Sequence, residues 1–186
     1  DLRSAGWAYG NVRVRTADGS LGSGQRGIYR RQEDWMALMG DARLIDSTIT
    51  LEGDSVVVDR RRDAVEAFGS VKVVDQEAQT VVTGEHGILH QSTGYAVVDS
   101  VPELSSRRQK GSTATVRSRW MSFSREEERS RAVGDVLFRQ GQTVAHADTA
   151  DFVGEDLLIL RGSPQVEQGP QRMEGREIRF HYVEGE

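Results

Sequence analysis

The chain has 186 residues, a formal net charge of −5 and no cysteine. The absence of cysteine excludes disulfides, thiolate metal sites and cysteine nucleophiles. The acidic balance gives no support for a nucleic-acid partner. No stretch approaches the about 18 apolar residues of a membrane-spanning helix, and the opening residues DLRSAGWAYG do not resemble a signal peptide.

A short motif recurs along the chain. It reads glycine, polar, apolar, polar, apolar, and a degenerate copy replaces the glycine by serine. The lead positions are Gly10, Gly40, Gly69, Ser100, Gly134 and Gly162, so the successive spacings are 30, 29, 31, 34 and 28 residues. Such a period is typical of repeat architectures in which each unit is one supersecondary element.

Apolar and polar residues alternate within each unit. In the first unit Val12 and Val14 alternate with Asn11, Arg13 and Arg15. Strict alternation predicts strands with one apolar face and one solvated face. A second apolar position lies 18 residues after the lead, at Ile28, Val58, Phe152 and Phe180, and one residue later in the third unit, at Ile88.

Turn-like segments separate the predicted strands. In chain order they are 16–19, 60–63, 91–94, 141–142 and 168–171. Segment 124–131 is the best helix candidate, but it lacks an apolar stripe, so we predict a charged hairpin turn there. Short connections favour antiparallel neighbours.

These features predict an all-β meander of about twelve or more strands with one continuous apolar face. Such a meander must fold that face inward, as a sandwich, a barrel or a jelly roll. The residues that we expect to face the interior are Val12, Val14, Ile28, Leu44, Val58, Val71, Val73, Ile88, Val116, Val136, Phe138, Phe152, Val166, Ile178 and Phe180.

Several segments in the second half of the chain resemble the OstA-like lipopolysaccharide-transport family. They are 131–141, 143–152, 160–166 and 173–180, of which the last two are similar to that family's closing strands. The resemblance covers most of the chain and is clearest from residue 112 to residue 182. It implies a twisted, partly open antiparallel β-jelly roll, with residues 1–186 forming one domain. The repeat spacing of 28 to 34 residues departs from the family's best-known members.

The resemblance also implies a function. A family member would be a periplasmic protein, without catalytic activity or cofactor, that binds lipopolysaccharide through lipid A and bridges the inner and outer membranes. The acyl chains would lie among the inward-facing residues named above. The strands around 7–15 and 176–182 would pair edge to edge, head to tail, with other modules of the family. A leader or anchor would then lie outside this sequence.

Other chemistry finds less support. Segment 22–27 matches G-x-G-x-x-G, but its flanks read as strand rather than as strand and helix, so no nucleotide site is predicted. His86 and His90 share one face of a strand but have no further ligands at zinc-site spacing, so no metal is predicted.

Two alternatives stay open. One is a structural or adhesive β-repeat module without lipid cargo, and the other is a carbohydrate-acting enzyme, which needs two carboxylates across a cleft.

Overall fold

The structure, a computed structural model, describes residues 5–16, 19–46, 49–107, 113–154 and 156–181. Every regular element in these ranges is a strand, and the strands pair antiparallel in one sheet. They are β1 (Ala5–Arg15), β2 (Leu21–Arg30), β3 (Trp35–Asp46), β4 (Ile49–Asp59), β5 (Ala64–Asp75), β6 (Thr80–His90), β7 (Tyr95–Asp99), β8 (Glu103–Arg107), β9 (Thr113–Arg117), β10 (Trp120–Ser124), β11 (Arg129–Gln140), β12 (Thr143–Val153), β13 (Leu157–Arg161), β14 (Gln165–Gln168), β15 (Gln171–Glu174) and β16 (Glu177–His181). The predicted all-β class is confirmed, and the described residues contain no helix long and apolar enough to cross a membrane.

The sixteen strands form twelve long strands, each bent near its middle. The ladder between β3 and β4 pairs residues 35–39, skips two residues of β3, and resumes at 42–46. Four long strands are interrupted at the bend, between β7 and β8, β9 and β10, β13 and β14, and β15 and β16. The bends divide the sheet into two half-sheets. The first half-sheet comprises 5–9, 26–30, 35–39, 55–59, 64–68, 86–90, 95–99, 120–124, 129–133, 149–153, 157–161 and 177–181, and the second half-sheet contains the other paired segments.

The lead position of each repeat lies at a bend. The five lead glycines have φ between 69° and 83°, and the residue after each has φ of 49° or 50°. Two consecutive left-handed residues leave the ladder and redirect the strand, as in a β-bulge. Glycine adopts this conformation without steric cost, and the short polar residues that follow tolerate it better than other side chains. The degenerate copy bends at Ser100 and Val101, both with φ of 63°. The repeat therefore encodes the bend of a strand as well as its alternation.

The two half-sheets face each other across a common interior. In the N-terminal cluster, Leu38 and Val56 of the first half-sheet pack with Val12 and Val71 of the second. In the C-terminal cluster, Met121 and Leu160 of the first half-sheet pack with Val136 and Phe138 of the second, and other residues complete both clusters. The interior is therefore apolar along its length and is filled from both sides.

The predicted turns fall between strands. The charged hairpin turn predicted over 124–131 is confirmed for 125–128, which connects β10 to β11, whereas residue 124 ends β10 and residues 129–131 begin β11. Segments 60–63, 91–94, 141–142 and 169–170 also connect consecutive strands. Residues 17 and 18 of the first predicted turn lie outside the described residues. Segment 22–27 lies wholly within β2, so the strand predicted around it is confirmed.

Candidate functional site: the interior and its open end

Most residues predicted to face inward meet in the interior. Nine are buried in the two clusters: Val12, Leu44, Val58, Val71, Val116, Val136, Phe138, Val166 and Ile178. Four are half-buried and pack against those clusters: Val14, Val73, Phe152 and Phe180. The interior that these side chains line is the candidate functional site.

Two of the inward-facing predictions are wrong. Ile88 pairs with Glu66 and Val97, whereas its neighbour Leu89 pairs with the buried Val65 and packs against the N-terminal cluster. Because side chains alternate between faces, a shift of one residue places Ile88 on the outer face.

Ile28 is also on the outer face. It pairs with Trp7 and Ala37. Its two neighbours in β2 pair with Leu38 and Met36, which face the interior, so Ile28 points to the opposite side of the sheet. The connection 16–20 leaves five residues outside the ladder, whereas the connection 47–48 of the second unit leaves two. The two connections differ in length by three residues, which is an odd number. Because side chains alternate between the two faces of a strand, the repeat position that faces inward at Val58 faces outward at Ile28.

The outer face of the first half-sheet is more apolar than strict alternation predicted. One row across this face contains Trp7, Ile28, Ala37, Val57, Ile88 and Val97. Only Glu66 interrupts it among these first seven strands. The expectation of a uniformly solvated outer face is therefore incorrect for this half-sheet.

The interior opens into a cleft at the β1 end. The cleft has a volume of about 480 Å³, and its lining includes Val14, Tyr29 and Met36 together with the charged Arg15 and Asp34. This volume lies within the range of about 300–1,000 Å³ found for small-molecule sites.

Small residues on the inner rows of β1 and β2 form this opening. Gly6 and Ala8 face the interior opposite Tyr29 and Gly27, so segment 5–9 of the edge strand contributes almost no side-chain volume to the interior. A Cβ on Gly27 would lie 2.9 Å from the side chain of Val12, which faces it from the second half-sheet. Gly27 therefore helps to set how closely the half-sheets approach, a role that the G-x-G-x-x-G pattern of this segment does not indicate.

The sheet ends in unpaired edges on both sides. In the described residues β1 pairs only with β2, β16 only with β13, and β15 only with β14. The strands predicted to be free ends thus lie at the two ends of the sheet, although Tyr182 is outside the described residues. Unpaired edges present backbone donors and acceptors to another strand.

A buried carboxylate organises the outer face of the C-terminal end. Asp151 is 1% exposed and accepts hydrogen bonds from Arg129 Nη2 at 3.0 Å, Arg131 Nε at 2.6 Å and Arg161 Nη1 at 2.6 Å. Burial alone would raise the pKa of Asp151, but the hydrogen bonds from Arg131 and Arg129 and their charges outweigh burial and hold this pKa below its ordinary value. Because the carboxylate is on β12 and the guanidiniums are on β11 and β13, it ties three strands together.

A histidine and an aspartate meet on the outer face of the first half-sheet. His86 Nδ1 lies 3.0 Å from Asp99 Oδ2, and the imidazole stacks on Phe68 with 4.9 Å between ring centroids. The hydrogen bond with His86 lowers the pKa of Asp99. No third ligand joins the pair, and the described residues contain no group of three histidines or carboxylates able to hold a metal.

The bent strands, the two facing half-sheets and the unpaired ends define a twisted, open β-jelly roll. No protein-family model matches the sequence, and no curated protein matches it. Among solved structures the chain is similar to the crystal structure of LptH from Pseudomonas aeruginosa, the LptA-homologous periplasmic component of the lipopolysaccharide transport device. The TM-score is 0.57 at 13% identity, over 74% of this chain and 95% of LptH. The protein therefore has the LptA-like β-jelly-roll fold, as the resemblance implied.

Proposed function

We propose that the protein binds lipopolysaccharide through lipid A and carries or bridges it across the periplasm, between the inner and outer membranes. The observation that supports this most directly is an aliphatic interior that opens at the β1 end, in a fold shared with LptH. Residues 1–186 would act as one module. The role requires no catalytic group and no cofactor.

The interior offers what an acyl chain needs. Transfer of each methylene from water into an apolar site contributes about 0.8 kcal/mol. A chain entering the cleft would first meet Val14 and Tyr29, and would then run along the half-buried inner positions such as Val73 and Phe180. Because the two clusters are packed, cargo would have to separate the half-sheets. The end strands β1 and β16 are not hydrogen-bonded to each other, so no ladder closes the described sheet against such separation.

The edges would serve assembly. β1 at one end and β15 and β16 at the other are available for strand addition by neighbouring modules. Pairing of one module's first strand with another module's last strand is a heterologous contact, which builds an open, head-to-tail array. An array of this kind would join the interiors of successive modules.

Photo-crosslinking tests the cargo proposal with neighbouring residues as controls. A photoreactive amino acid at Val14, Val73 or Phe180 faces the interior, whereas the same group at the preceding residue of the same strand faces outward. These controls are Arg13, Lys72 and Arg179. We expect lipopolysaccharide to be captured at the three inner sites and not at the controls, on irradiation in cells that make it or with purified lipopolysaccharide. Equal capture at inner and outer sites, or none at either, contradicts the proposal.

A structural or adhesive repeat module is the second candidate. The observation that favours it is the packed state of the two clusters, in which Phe138 is 2% exposed and Leu158 and Leu160 are fully buried. Failure of capture at all three inner sites would support this candidate. A carbohydrate-acting enzyme is less well supported, because Asp34 is the one carboxylate among the described residues that line the cleft, where a glycosidase needs two.

A further inference from the structure

The outer side of the first half-sheet changes character along its length. The row described above, from Trp7 on β1 to Val97 on β7, is apolar except at Glu66. On β10 and β11 the same row continues through Ser122 and Arg131, which are polar. The apolar part therefore has a polar border after β7. We call the outer side chains of the first half-sheet on β1 to β7 the outer apolar face.

The outer apolar face also contains half of the exposed large hydrophobic side chains. Eight such side chains are exposed in the described residues, and four lie on this face: Trp7 at 63%, Tyr9 at 75%, Phe68 at 40% and Tyr95 at 37%. Tyr9, Phe68 and Tyr95 each lie two residues from a member of the row, so they point to the same side of the sheet. Apolar groups gathered in this way inside a polar border mark an interaction surface, whereas single ones are ordinary.

Two opposite charges on the outer apolar face lack a partner. Glu66 is half-buried between Val57 and Ile88, and its carboxylate forms no ion pair or hydrogen bond with any residue that the structure describes. Arg26 is exposed opposite Tyr9, and its guanidinium likewise has no ion pair among the described residues. Covering an unpaired carboxylate is costly unless a cation arrives with the covering surface. Glu66 therefore favours a partner that presents a positive group.

The charges of the face complement those of the same face turned around. Its acids are Asp59, Glu66 and Asp99, on β4, β5 and β7, and its arginines are Arg26 and Arg30, both on β2. Because the acids outnumber the arginines, an anionic surface is not a matching partner. A second copy matches if its β2 lies over these acids, and the acids of that copy then meet β2 of the first.

We propose that the outer apolar face pairs with the same face of a second copy of this chain, in a dimer with two-fold symmetry. In such a dimer each contact occurs twice, so that β2 of each copy lies over β5 of the other. A two-fold axis parallel to the strands, between β3 and β4, produces this arrangement. The side chains at the axis, Ala37 and Val57, are small enough for the sheets to approach to about 10 Å, as in a β-sandwich.

The axis brings the two unpaired charges together. Arg26 of each copy lies over Phe68 of the partner, because both are in the row next to that of Glu66. Glu66 is two residues from Phe68, which is about 7 Å along the strand, and an arginine side chain spans that distance. The dimer therefore contains two symmetric contacts between Arg26 and Glu66.

The same axis covers the exposed aromatic residues. It places β1 over β6 of the partner, so Trp7 and Tyr9 cover Ile88, with Phe68 and Tyr95 on the strands to either side. Only the outer side chains of β1 take part. The backbone edge of β1 remains free, so this dimer is separate from the head-to-tail pairing and the cargo described under the proposed function.

Sedimentation velocity of the full chain over a range of concentrations tests the proposal. We expect a reversible dimer. Arg26→Glu and Glu66→Arg should each raise the dimer Kd by about 100-fold or more. Each reversal replaces attraction by repulsion at both symmetric contacts, which costs at least about tenfold per contact.

Mixing the two variants is the sharpest measurement. In a heterodimer of Arg26→Glu with Glu66→Arg, both contacts again join opposite charges, because one copy has two acids where the other has two arginines. We expect the mixture to dimerise although neither variant does so alone. This restoration requires contacts that are reciprocal between copies, as the two-fold axis demands.

Control variants separate the face from general charge. Lys72→Glu and Glu77→Arg reverse exposed charges in the second half-sheet and in the turn that follows β5. They should keep the Kd within about threefold, because exposed charges beyond the Debye length are screened. Trp7→Ser/Tyr9→Ser should raise the Kd by more than about tenfold. Circular dichroism melting establishes that each variant is folded.

Three results would overturn the proposal. One is a protein that stays monomeric at all concentrations. Another is association, as a dimer or a longer array, that Arg26→Glu and Glu66→Arg leave intact. The third is failure of the mixed variants to restore the dimer. No lipopolysaccharide is present in these measurements, so their failure is distinct from failure of the cargo proposal.

Discussion

Asp151, on β12, holds three arginines of the two neighbouring strands β11 and β13, and replacing it by asparagine tests how much this network contributes to stability. Asn keeps the size of the side chain but removes its charge and turns one acceptor into a donor that faces guanidinium donors. The variant therefore loses charge-assisted hydrogen bonds that now measure 2.6 to 3.0 Å. The cavity term is negligible because no volume is removed.

The expected loss follows from the burial of each partner. Removing one partner of a buried ion pair costs about 3–5 kcal/mol, mostly because the other charge stays buried. Here the carboxylate is 1% exposed, but Arg129, Arg131 and Arg161 are 38%, 45% and 40% exposed, so water can solvate them in the variant. We therefore expect a loss near the lower limit, about 3 kcal/mol, which lowers the Tm by about 6–12 °C in a chain of this length.

The loss should depend on pH in a defined direction. The folded-state pKa of Asp151 lies below its ordinary value, so the carboxylate contributes stability above the unfolded-state pKa of about 4. That contribution disappears as the pH falls through the folded-state pKa. The difference between wild type and Asp151→Asn should thus be full at pH 7 and should shrink below about pH 4.

Urea denaturation followed by circular dichroism, repeated across this pH range, measures both quantities. Asp135→Asn is the matched control, because Asp135 pairs with Arg119 at 3.2 Å but is 84% exposed. We expect the control to change stability by no more than about 0.5 kcal/mol. If Asp151→Asn loses no more than this control, or if its loss is the same at pH 3 and pH 7, the reasoning about the buried carboxylate is refuted.

Two further predictions concern packing and the bends. Phe138→Ala should cost about 3–5 kcal/mol in urea denaturation because Phe138 is buried in the C-terminal cluster, whereas Ile88→Ala, on the outer face, should cost under about 2 kcal/mol. An equal loss in both variants would contradict the assignment of faces. Val101→Gly should raise the Tm, since a β-branched residue at φ of 63° is strained and Val101 is 64% exposed, with little packing to lose. A lower Tm would mean that the bend does not strain Val101.

Much of the fold could be predicted because its signals are local. Alternation with a period of two is a property of a strand's own residues, and it identified the buried Val136 and Phe138 without knowledge of their neighbours. A turn was predicted over 124–131 because this charged segment lacks an apolar stripe, and the structure has the turn at 125–128. The recurrence of the glycine motif likewise predicted a chain of similar units.

The errors arose where a distant feature decides the outcome. The length of the connection 16–20 reversed the phase of β2, so Ile28 faces outward although Val58, at the same repeat position, faces inward. The lead glycines were recognised as a repeat in the sequence. Their left-handed φ angles, which bend the strands, depend on the long strands that these glycines interrupt. Neither the register of a ladder nor the phase after a connection is contained in the alternating pattern itself.

The sequence by itself determined that this protein is an antiparallel β-repeat chain with an aliphatic face, because local alternation and turn residues are sufficient for that. Only the tertiary structure decided what meets across space. It brought Arg129 and Arg161 to Asp151 from positions 22 and 10 residues away, and it opened the cleft beside the glycines of the first hairpin. The physical reason is that ion pairs and cavities depend on strand register and on the facing of two half-sheets, which residues distant along the chain set together.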